Sequence, residues 1–289
     1  MALPPAPGGW HSRLYNDNDN ANDAAPGKKR MMPSNFATTG ALFGAGVAAG
    51  AINAFAGGGT IITFPALLLA GMNPIAANTT STVALLPGAL GGIAGYRRNI
   101  PAVLRWLRLF AGVSAAGGLL GGVLLTQTTP SFFKWLAPFL VLFATALFTA
   151  HGLFSRILRG RAPEMSRAAN PRWLIGALSF QFAVAVYGGY FGAGIGILML
   201  ASLGILGFRH IHEMNTVKSV LGFLINAVAA VYFIWKGLVD WPIAALMAAG
   251  AVAGGYLGAH FAQKIPQPVV RGIITTIGVS ISLALFLKK

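Results

Sequence analysis

Residues 36–96 decide the fold class, and they read FATTGALFGAGVAAGAINAFAGGGTIITFPALLLAGMNPIAANTTSTVALLPGALGGIAGY. No Asp, Glu, Lys or Arg occurs between Met31 and Tyr96, between Trp173 and Phe208, or between Trp241 and Gln263. A helix needs about 20 apolar residues to cross the hydrocarbon layer, and backbone in lipid must satisfy its own hydrogen bonds. The sequence therefore predicts an all-α polytopic membrane protein.

The composition of the whole chain agrees with this class. Of its 289 residues, 55% are hydrophobic and 9% are charged, whereas a soluble domain carries about a quarter charged residues. The net charge of +15 comes from 21 Lys and Arg against 6 Asp and Glu. In an apolar chain this excess indicates cytoplasmic loops rather than a nucleic-acid partner. The absence of Cys excludes disulfides and thiolate metal sites, and we expect neither a metal nor a cofactor.

The apolar segments form two groups that follow the same order. Identical residues face each other when the sequence is shifted by 137 positions: Gly57 and Gly194, Gly59 and Gly196, Asn78-Thr79 and Asn215-Thr216. In each group one apolar segment, at 60–70 and at 193–206, follows a glycine cluster and is too short to span a bilayer. We therefore predict two four-crossing internal repeats, each with a short broken or re-entrant half-helix.

The predicted organisation has four parts: a disordered, basic and polar N-terminal tail (1–34), repeat 1 (35–155), an Arg-rich cytoplasmic linker (156–171) and repeat 2 (172–289). The distribution of Lys and Arg predicts that the linker and both termini are cytoplasmic. Four crossings per repeat make the repeats parallel. If the first helix and the half-helix instead form one hairpin, three crossings remain, the repeats are inverted, and the linker lies outside.

The glycine clusters, Gly57–Gly59 and Gly192–Gly196, are the first candidate site. The N-terminus of a half-helix carries a partial positive charge and bare N–H groups, and such ends hold anions. Two half-helices, one from each repeat, would converge on one central anion site. The alternative is close helix packing through small residues, which is common in membranes.

Polar residues that follow the half-helices are the second candidate. Asn78-Thr79-Thr80-Ser81-Thr82 offers hydroxyl and amide donors for an oxyanion, although Asn and Thr at a helix start are equally typical caps. In the second repeat Lys218 replaces Ser81. A cation within a membrane segment indicates function; the alternative is a side chain that snorkels to the interface.

Acidic residues near membrane helices are limited to Glu213 and Asp240, and His210 lies close to the first of them. A His can titrate near neutral pH, so these three residues are candidates for proton coupling. The alternatives are an exposed His-Glu patch and a Glu that caps a first turn. The sequence contains no signature of a hydrolase, a P-loop or a zinc enzyme. We therefore expect that the protein is not an enzyme.

The segment Gly57-Gly58-Gly59-Thr60-Ile61-Ile62-Thr63-Phe64-Pro65-Ala66-Leu67, followed by Asn78-Thr79-Thr80-Ser81, resembles the first-repeat signature of the TauE/SafE family. The segment from Tyr187 to Gly196, followed by Asn215-Thr216-Val217-Lys218, is similar to the second signature. The family comprises sulfite and organosulfonate exporters, also called toluenesulfonate uptake permeases. The resemblance covers about 36–288.

The resemblance implies a transporter in a bacterial inner membrane. Its expected substrates are small organosulfur anions such as sulfite, sulfoacetate or other sulfonates, with protons as the coupling ion and a homo-oligomer left open. A passive small-anion channel, or a permease for another small anion, is the alternative. The residues that fall on the family's site are Gly58, Gly59, Asn78, Thr79, Ser81, Gly194, Gly196, Asn215, Thr216 and Lys218.

Overall fold

The computed structural model describes residues 36–55, 57–161, 171–206, 208 and 210–261, with scattered positions from 272 to 287. Its helices are α1 (Phe36–Phe55), α2 (Thr60–Leu69), α3 (Pro74–Tyr96), α4 (Ile100–Gln127), α5 (Pro130–Arg161), α6 (Pro171–Tyr190), α7 (Ile195–Ile205), α8 (Ile211–Trp235) and α9 (Trp241–Phe261). The described residues contain no strand. The predicted tail 1–34, most of the linker and the C-terminal lysines lie outside these residues.

Helix length and composition support a multi-pass membrane protein. Within the described ranges, four helical stretches are long and apolar enough to cross a bilayer: Phe36–Asn53, Pro74–Gln127, Pro130–Leu147 and His212–Trp235. The second of these contains both α3 and α4, which a 3₁₀ turn (Arg97–Asn99) joins. Helices α2 and α7 have 10 and 11 residues, so each is about 15 Å long and reaches half-way through the hydrocarbon layer.

Helix α3 begins earlier than the cap interpretation of Asn78-Thr79 requires. Asn73 is the N-cap, because its side-chain oxygen accepts a hydrogen bond from the N–H of Ile75 at 3.0 Å, and Pro74 opens the first turn. Proline suits that position, since its missing N–H has no partner in a first turn. The cap interpretation of Asn78-Thr79 therefore does not apply, and these side chains point elsewhere.

Helices α1, α3 and α9 form one bundle, in which all three run in the same direction. A Cβ on Gly46 would lie 2.6 Å from the carbonyl oxygen of Met247, and one on Gly50 would lie 2.1 Å from that of Ala251. The residue numbers of the contacting pairs rise together along both helices, so α1 and α9 are parallel. Helix α3 is parallel to α9 for the same reason: Asp240 contacts Thr80, and Ala251 lies against Gly88.

Helices α4, α6 and α8 form the second bundle and are also parallel to one another. A Cβ on Gly117 would lie 2.6 Å from Cβ of Ala185, and one on Gly121 would lie 2.7 Å from N of Tyr190. Helix α8 contacts α4 with Ile225 against Gly118 and with Ala229 against Gly122. Contacts this close require residues without a side chain, as is usual where membrane helices cross.

The two bundles run in opposite directions. Thr79, near the start of α3, contacts Leu238 just beyond α8, whereas Gly92, near the end of α3, lies beside Ser219 in the first half of α8. Under the shift of 137 residues α8 is the counterpart of α3, α6 of α1, and α9 of α4. Each helix therefore lies antiparallel to its counterpart.

These directions are those of inverted repeats, not of the parallel repeats that the charge pattern favours. Opposite directions require an odd number of crossings per repeat, so the predicted four does not fit them. The cause is α2, which folds back along α1: a Cβ on Gly59 would lie 2.7 Å from the carbonyl oxygen of Ala49. The repeat relation itself stays a prediction, which the matched order and contacts of the helices support.

Candidate anion site

The two broken helices begin at the same place in the molecule. The N–H of Gly196 donates a hydrogen bond to the carbonyl oxygen of Gly57 at 3.2 Å. Gly57 has a φ of +68° and Gly194, the N-cap of α7, a φ of +74°, a region that side chains disfavour. Glycine therefore permits both the turn into each half-helix and the close approach of the two chains.

Asn53, near the end of α1, caps the first half-helix. Its side-chain oxygen accepts a hydrogen bond from the N–H of Gly59 at 3.1 Å. Gly58 is buried and its carbonyl accepts from the N–H of Ile61 at 3.0 Å. Predicted site residues Gly58 and Gly59 thus build the turn, while the side chain of Asn53 faces the space in front of it.

A cavity lies between α3 and α8, directly beside the half-helix starts. Its volume for water centres is about 80 Å³; since about 10–15 Å³ of such volume holds one water, it has room for several waters or one small anion. The two long helices line it with positions that the shift of 137 relates: Thr82 and Ser219, Leu85 and Gly222, Leu86 and Phe223, Ala89 and Asn226. The cavity therefore lies where the axis of the predicted repeats would pass.

Lys218 is the ionisable residue among the described residues that line this cavity. Its side chain is only 6% exposed, so it does not snorkel to a membrane surface. Asn226, two turns further along α8, lines the same wall, and its amide N–H donates to the carbonyl of Gly222 at 2.9 Å. The lining offers one cationic side chain with amides, hydroxyls and glycine backbone, a set of groups suited to a small anion.

Three predicted site residues of the polar run in α3 are buried beyond the cavity, although Thr82 of the same run lines it. The amide of Asn78 donates to the carbonyl of Tyr190 at 2.9 Å, and the hydroxyl of Thr79 donates to that of Leu238 at 2.7 Å. Ser81 is hydrogen-bonded to the hydroxyl of Thr63. In this conformation Asn78, Thr79 and Ser81 contact other parts of the protein and do not line the cavity.

The counterparts in α8 have other surroundings. Asn215 is half-buried, and the hydroxyl of Thr216 donates to the carbonyl of His212 in its own helix at 2.7 Å. Gly194 lies at the start of α7, and Gly196 both lines the cavity and bonds Gly57. Of the ten predicted binding residues, the cavity brings together Gly196 and Lys218.

The proton-coupling candidates lie away from the cavity lining. Asp240 precedes α9, and its carboxylate accepts a hydrogen bond from the N–H of Ile243 at 3.2 Å. Glu213 is half-buried in the first turn of α8, and His210 is exposed immediately before that helix.

Sequence reasoning did not assign several polar lining residues to the site: Asn53, Thr60 and Ser219. The repeat shift contained a signal for Ser219, because it pairs this residue with Thr82 of the predicted polar run, one position after the Ser81–Lys218 pair. No comparable sequence signal identified Asn53, since one Asn in an Ala- and Gly-rich helix has no matching residue elsewhere in the sequence.

A multi-pass helical protein with a polar cavity between two helix bundles has the general form of a membrane transporter. The family model described as sulfite exporter TauE/SafE matches residues 42–285, and the chain belongs to this family. It is 30% identical over 81% of its length to a "Probable membrane transporter protein" of Haemophilus influenzae, covering 88% of that protein.

Two further relatives carry similar names. The chain is 28% identical to "Probable membrane transporter protein ORF9" of Sinorhizobium sp, over 84% of this chain and 90% of the relative. It is 26% identical to "Probable membrane transporter protein YfcA" of Escherichia coli, over 85% and 88%. No solved structure matches the chain significantly.

Proposed function

We propose that the protein is a secondary active transporter that exports small organosulfur anions, such as sulfite, sulfoacetate or other sulfonates, in a bacterial inner membrane. The observation that carries this proposal is Lys218, a 94%-buried cation in the wall of a cavity whose described lining contains no acid. An unpaired carboxylate there would repel an anionic substrate, whereas one ammonium group attracts it.

The lining suggests how a sulfite or sulfonate group is held. The ammonium of Lys218 supplies charge, and Ser219 and Thr82 supply hydroxyls on opposite walls. The half-helix starts at Gly57 and Gly196 add the positive ends of two helix dipoles at the base of the cavity. Glycines that line the walls, among them Gly88, Gly92 and Gly222, allow an anion close to the backbone.

The orientation proposed follows from exposed arginines at one end of the molecule. Arg97, Arg98, Arg105 and Arg108 are exposed where α3 ends and α4 begins, and we call this the arginine end. The opposite end carries exposed Lys134 and Lys236. The excess of positive charge favours a cytoplasmic arginine end. Helix α1 begins at the opposite end, so the N-terminus and the linker cannot both be cytoplasmic. The proposal keeps the cytoplasmic location for the linker and not for the N-terminus.

The test is anion binding by purified Lys218 variants. Sulfite, sulfoacetate, isethionate, taurine and sulfate are titrated against the parent chain, Lys218→Ala and Lys218→Arg. A hydrogen bond to a charged group contributes about 1.5–3 kcal/mol, so Lys218→Ala should weaken binding by roughly tenfold or more. Lys218→Arg should restore part of it, because the charge remains while its shape changes.

Lys236→Ala is the matched control. Lys236 directly follows the same helix, is exposed, and lies 4.9 Å from the ring centre of Trp235, so its removal should leave anion affinity unchanged. Equal affinities of the parent and Lys218→Ala for every anion would contradict the proposal. In proteoliposomes we expect anion exchange that saturates as the anion concentration rises. A current that does not saturate would indicate the passive channel instead.

A further inference from the structure

The cavity is not symmetric about the axis that relates the repeats. Lys218 lines it, but Ser81, its counterpart in the first repeat, is fully buried against Thr63. On the α3 side the lining extends to Gly88 and Gly92, toward the arginine end. The cavity is therefore displaced along α3 and α8 toward the arginine end, and the equivalent space at the opposite end is filled.

Two side chains of α3 join the bundles where that space is filled. Asn78 donates to the carbonyl of Tyr190, the last residue of α6, and Thr79 donates to the carbonyl of Leu238. Leu238 is tied to α8, because its N–H donates to the carbonyl of Phe233 at 3.1 Å. Asn78 is 1% exposed and Thr79 is fully buried, so the donors of both bonds between the bundles are shielded from water.

Among the residues that the structure describes, the counterparts of these residues at the arginine end make no such crossing. The hydroxyl of Thr216 donates to a carbonyl of its own helix, whereas that of Thr79 lies within hydrogen-bond distance both of Ala76 in its own helix and of Leu238 outside it. Asn215 is half-buried, whereas Asn78 is inaccessible. Equivalent residues of the two repeats are thus engaged across the bundles at one end and disengaged at the other. This is the asymmetry expected of inverted repeats captured in one of two alternate states.

We propose that Asn78 and Thr79 form a latch that closes the cavity at the end opposite the arginines, and that releasing it gives the substrate its second exit. In the other state Asn215 and Thr216 would close the arginine end, while Asn78 and Ser81 would line the open cavity. The inference deepens the proposed transport function and rests on it.

The chemistry of Asn78 favours release of the latch. Its amide N–H is bonded to Tyr190, but its side-chain oxygen is buried with no hydrogen-bond partner among the described residues. Burying an acceptor without a partner costs free energy that water returns once the group is exposed. The closed latch is therefore held by a side chain that gains a hydrogen bond on opening, which suits a contact that must break in each cycle.

Cysteine labelling can test the latch, because the natural chain contains no Cys. The reporter is Thr82→Cys in the cavity wall, in proteoliposomes exposed to a membrane-impermeant methanethiosulfonate. Lys134→Cys, exposed at the end opposite the arginines, establishes which side the reagent reaches. Combined with Thr79→Val, the reporter should react about fivefold faster from that end, the factor expected for one lost hydrogen bond.

Thr80→Val is the matched control. Thr80 is adjacent to Thr79 and equally buried, but its hydroxyl accepts a hydrogen bond from the N–H of Asp240 within the first bundle. Thr80→Val and Thr79→Ser, which keeps the donor, should both label like the parent. If Thr79→Val does not fold, Asn78→Ala removes the second bond and should show the same acceleration.

Equal labelling rates in Thr79→Val and Thr80→Val, or acceleration only from the arginine end, would overturn the latch. The measurement uses no substrate, so it is independent of the Lys218 titration. Unchanged anion binding in Lys218→Ala with accelerated labelling in Thr79→Val would leave the latch in place and remove only the anion assignment.

Discussion

The amide of Gly196 and the carbonyl of Gly57, 3.2 Å apart, connect the starts of the two half-helices through backbone alone. This contact places the positive ends of α2 and α7 beside one cavity, so the dipoles of both helices act on the same space. It also couples the repeats at a point where neither has a side chain. Any group added here changes the geometry of both half-helices together.

Gly57→Ala should therefore impair binding and stability at once. A Cβ at Gly57 would lie 3.1 Å from Cα of Gly196, and the residue has a φ of +68°, which costs a residue with a side chain about 1–2 kcal/mol. We expect a lower thermal unfolding temperature in detergent and weaker sulfite binding. Gly40→Ala, with no atom within 4 Å of its Cβ, is the control and should match the parent in both measurements.

Gly121→Ala should destabilise the second bundle, because it adds a methyl group where α4 contacts α6. At Gly121 a new Cβ would lie 2.1 Å from the carbonyl oxygen of Val186, so the helices must separate. Overpacking of this kind costs about 1–3 kcal/mol. Gly112→Ala, in the same helix with open space around it, should be neutral or slightly stabilising. The thermal unfolding temperatures of Gly121→Ala and Gly112→Ala are compared. Equal temperatures would show that α4 and α6 are not in such close contact at Gly121.

The helices and their family could be predicted from sequence because both depend on local patterns. Charge-free segments and glycine clusters mark α1, α2 and α7, and Lys218 is recognisable as a buried cation. The directions of the helices depend on long-range contacts, such as Gly46 with Met247, that no local pattern encodes. The charge pattern favours an even number of crossings, and it carries no information on whether α2 folds back along α1, as the contact of Gly59 with Ala49 indicates.

The site shows the same division. Lys218 and Gly196, two of the predicted site residues, line the cavity, and their role in binding stays a prediction. Asn78 and Thr79 instead contact Tyr190 and Leu238, more than 100 positions away. Sequence reasoning recognised their chemistry, but these long-range partners are a property of the assembled fold, and the latch that we propose depends on them.

Ser219→Ala should weaken anion binding without a comparable loss of stability. Ser219 lines the cavity next to Lys218, and one neutral hydrogen bond contributes about 1 kcal/mol, close to a fivefold change in affinity. Ser114→Ala is the contrasting variant: Ser114 is fully buried and accepts a hydrogen bond from Gln181 at 2.9 Å, away from the cavity. It should lower the unfolding temperature and leave sulfite affinity unchanged, and the reverse pattern would remove Ser219 from the binding site.

The last prediction separates the two carboxylates proposed for proton coupling. Asp240 caps α9 through the N–H of Ile243, and Asn is as good a cap as Asp. Asp240→Asn should therefore keep both stability and proton-driven counterflow, whereas Asp240→Ala should lose about 1 kcal/mol of stability. Glu213 lies in the first turn of α8, five residues before Lys218, so we expect its charge to act on the helix that carries the proposed binding cation.

Glu213→Gln should consequently abolish proton-driven counterflow while substrate exchange without a proton gradient continues. Both fluxes are measured in the same proteoliposomes with a radiolabelled anion, with and without an imposed pH difference. His210→Gln, an exposed neighbour of Glu213, serves as the control and should retain coupling if the carboxylate is the coupling group. Proton-driven counterflow that persists in Glu213→Gln and disappears in Asp240→Asn would reverse the assignment, because a residue that acts only as a cap has no protonation step to lose.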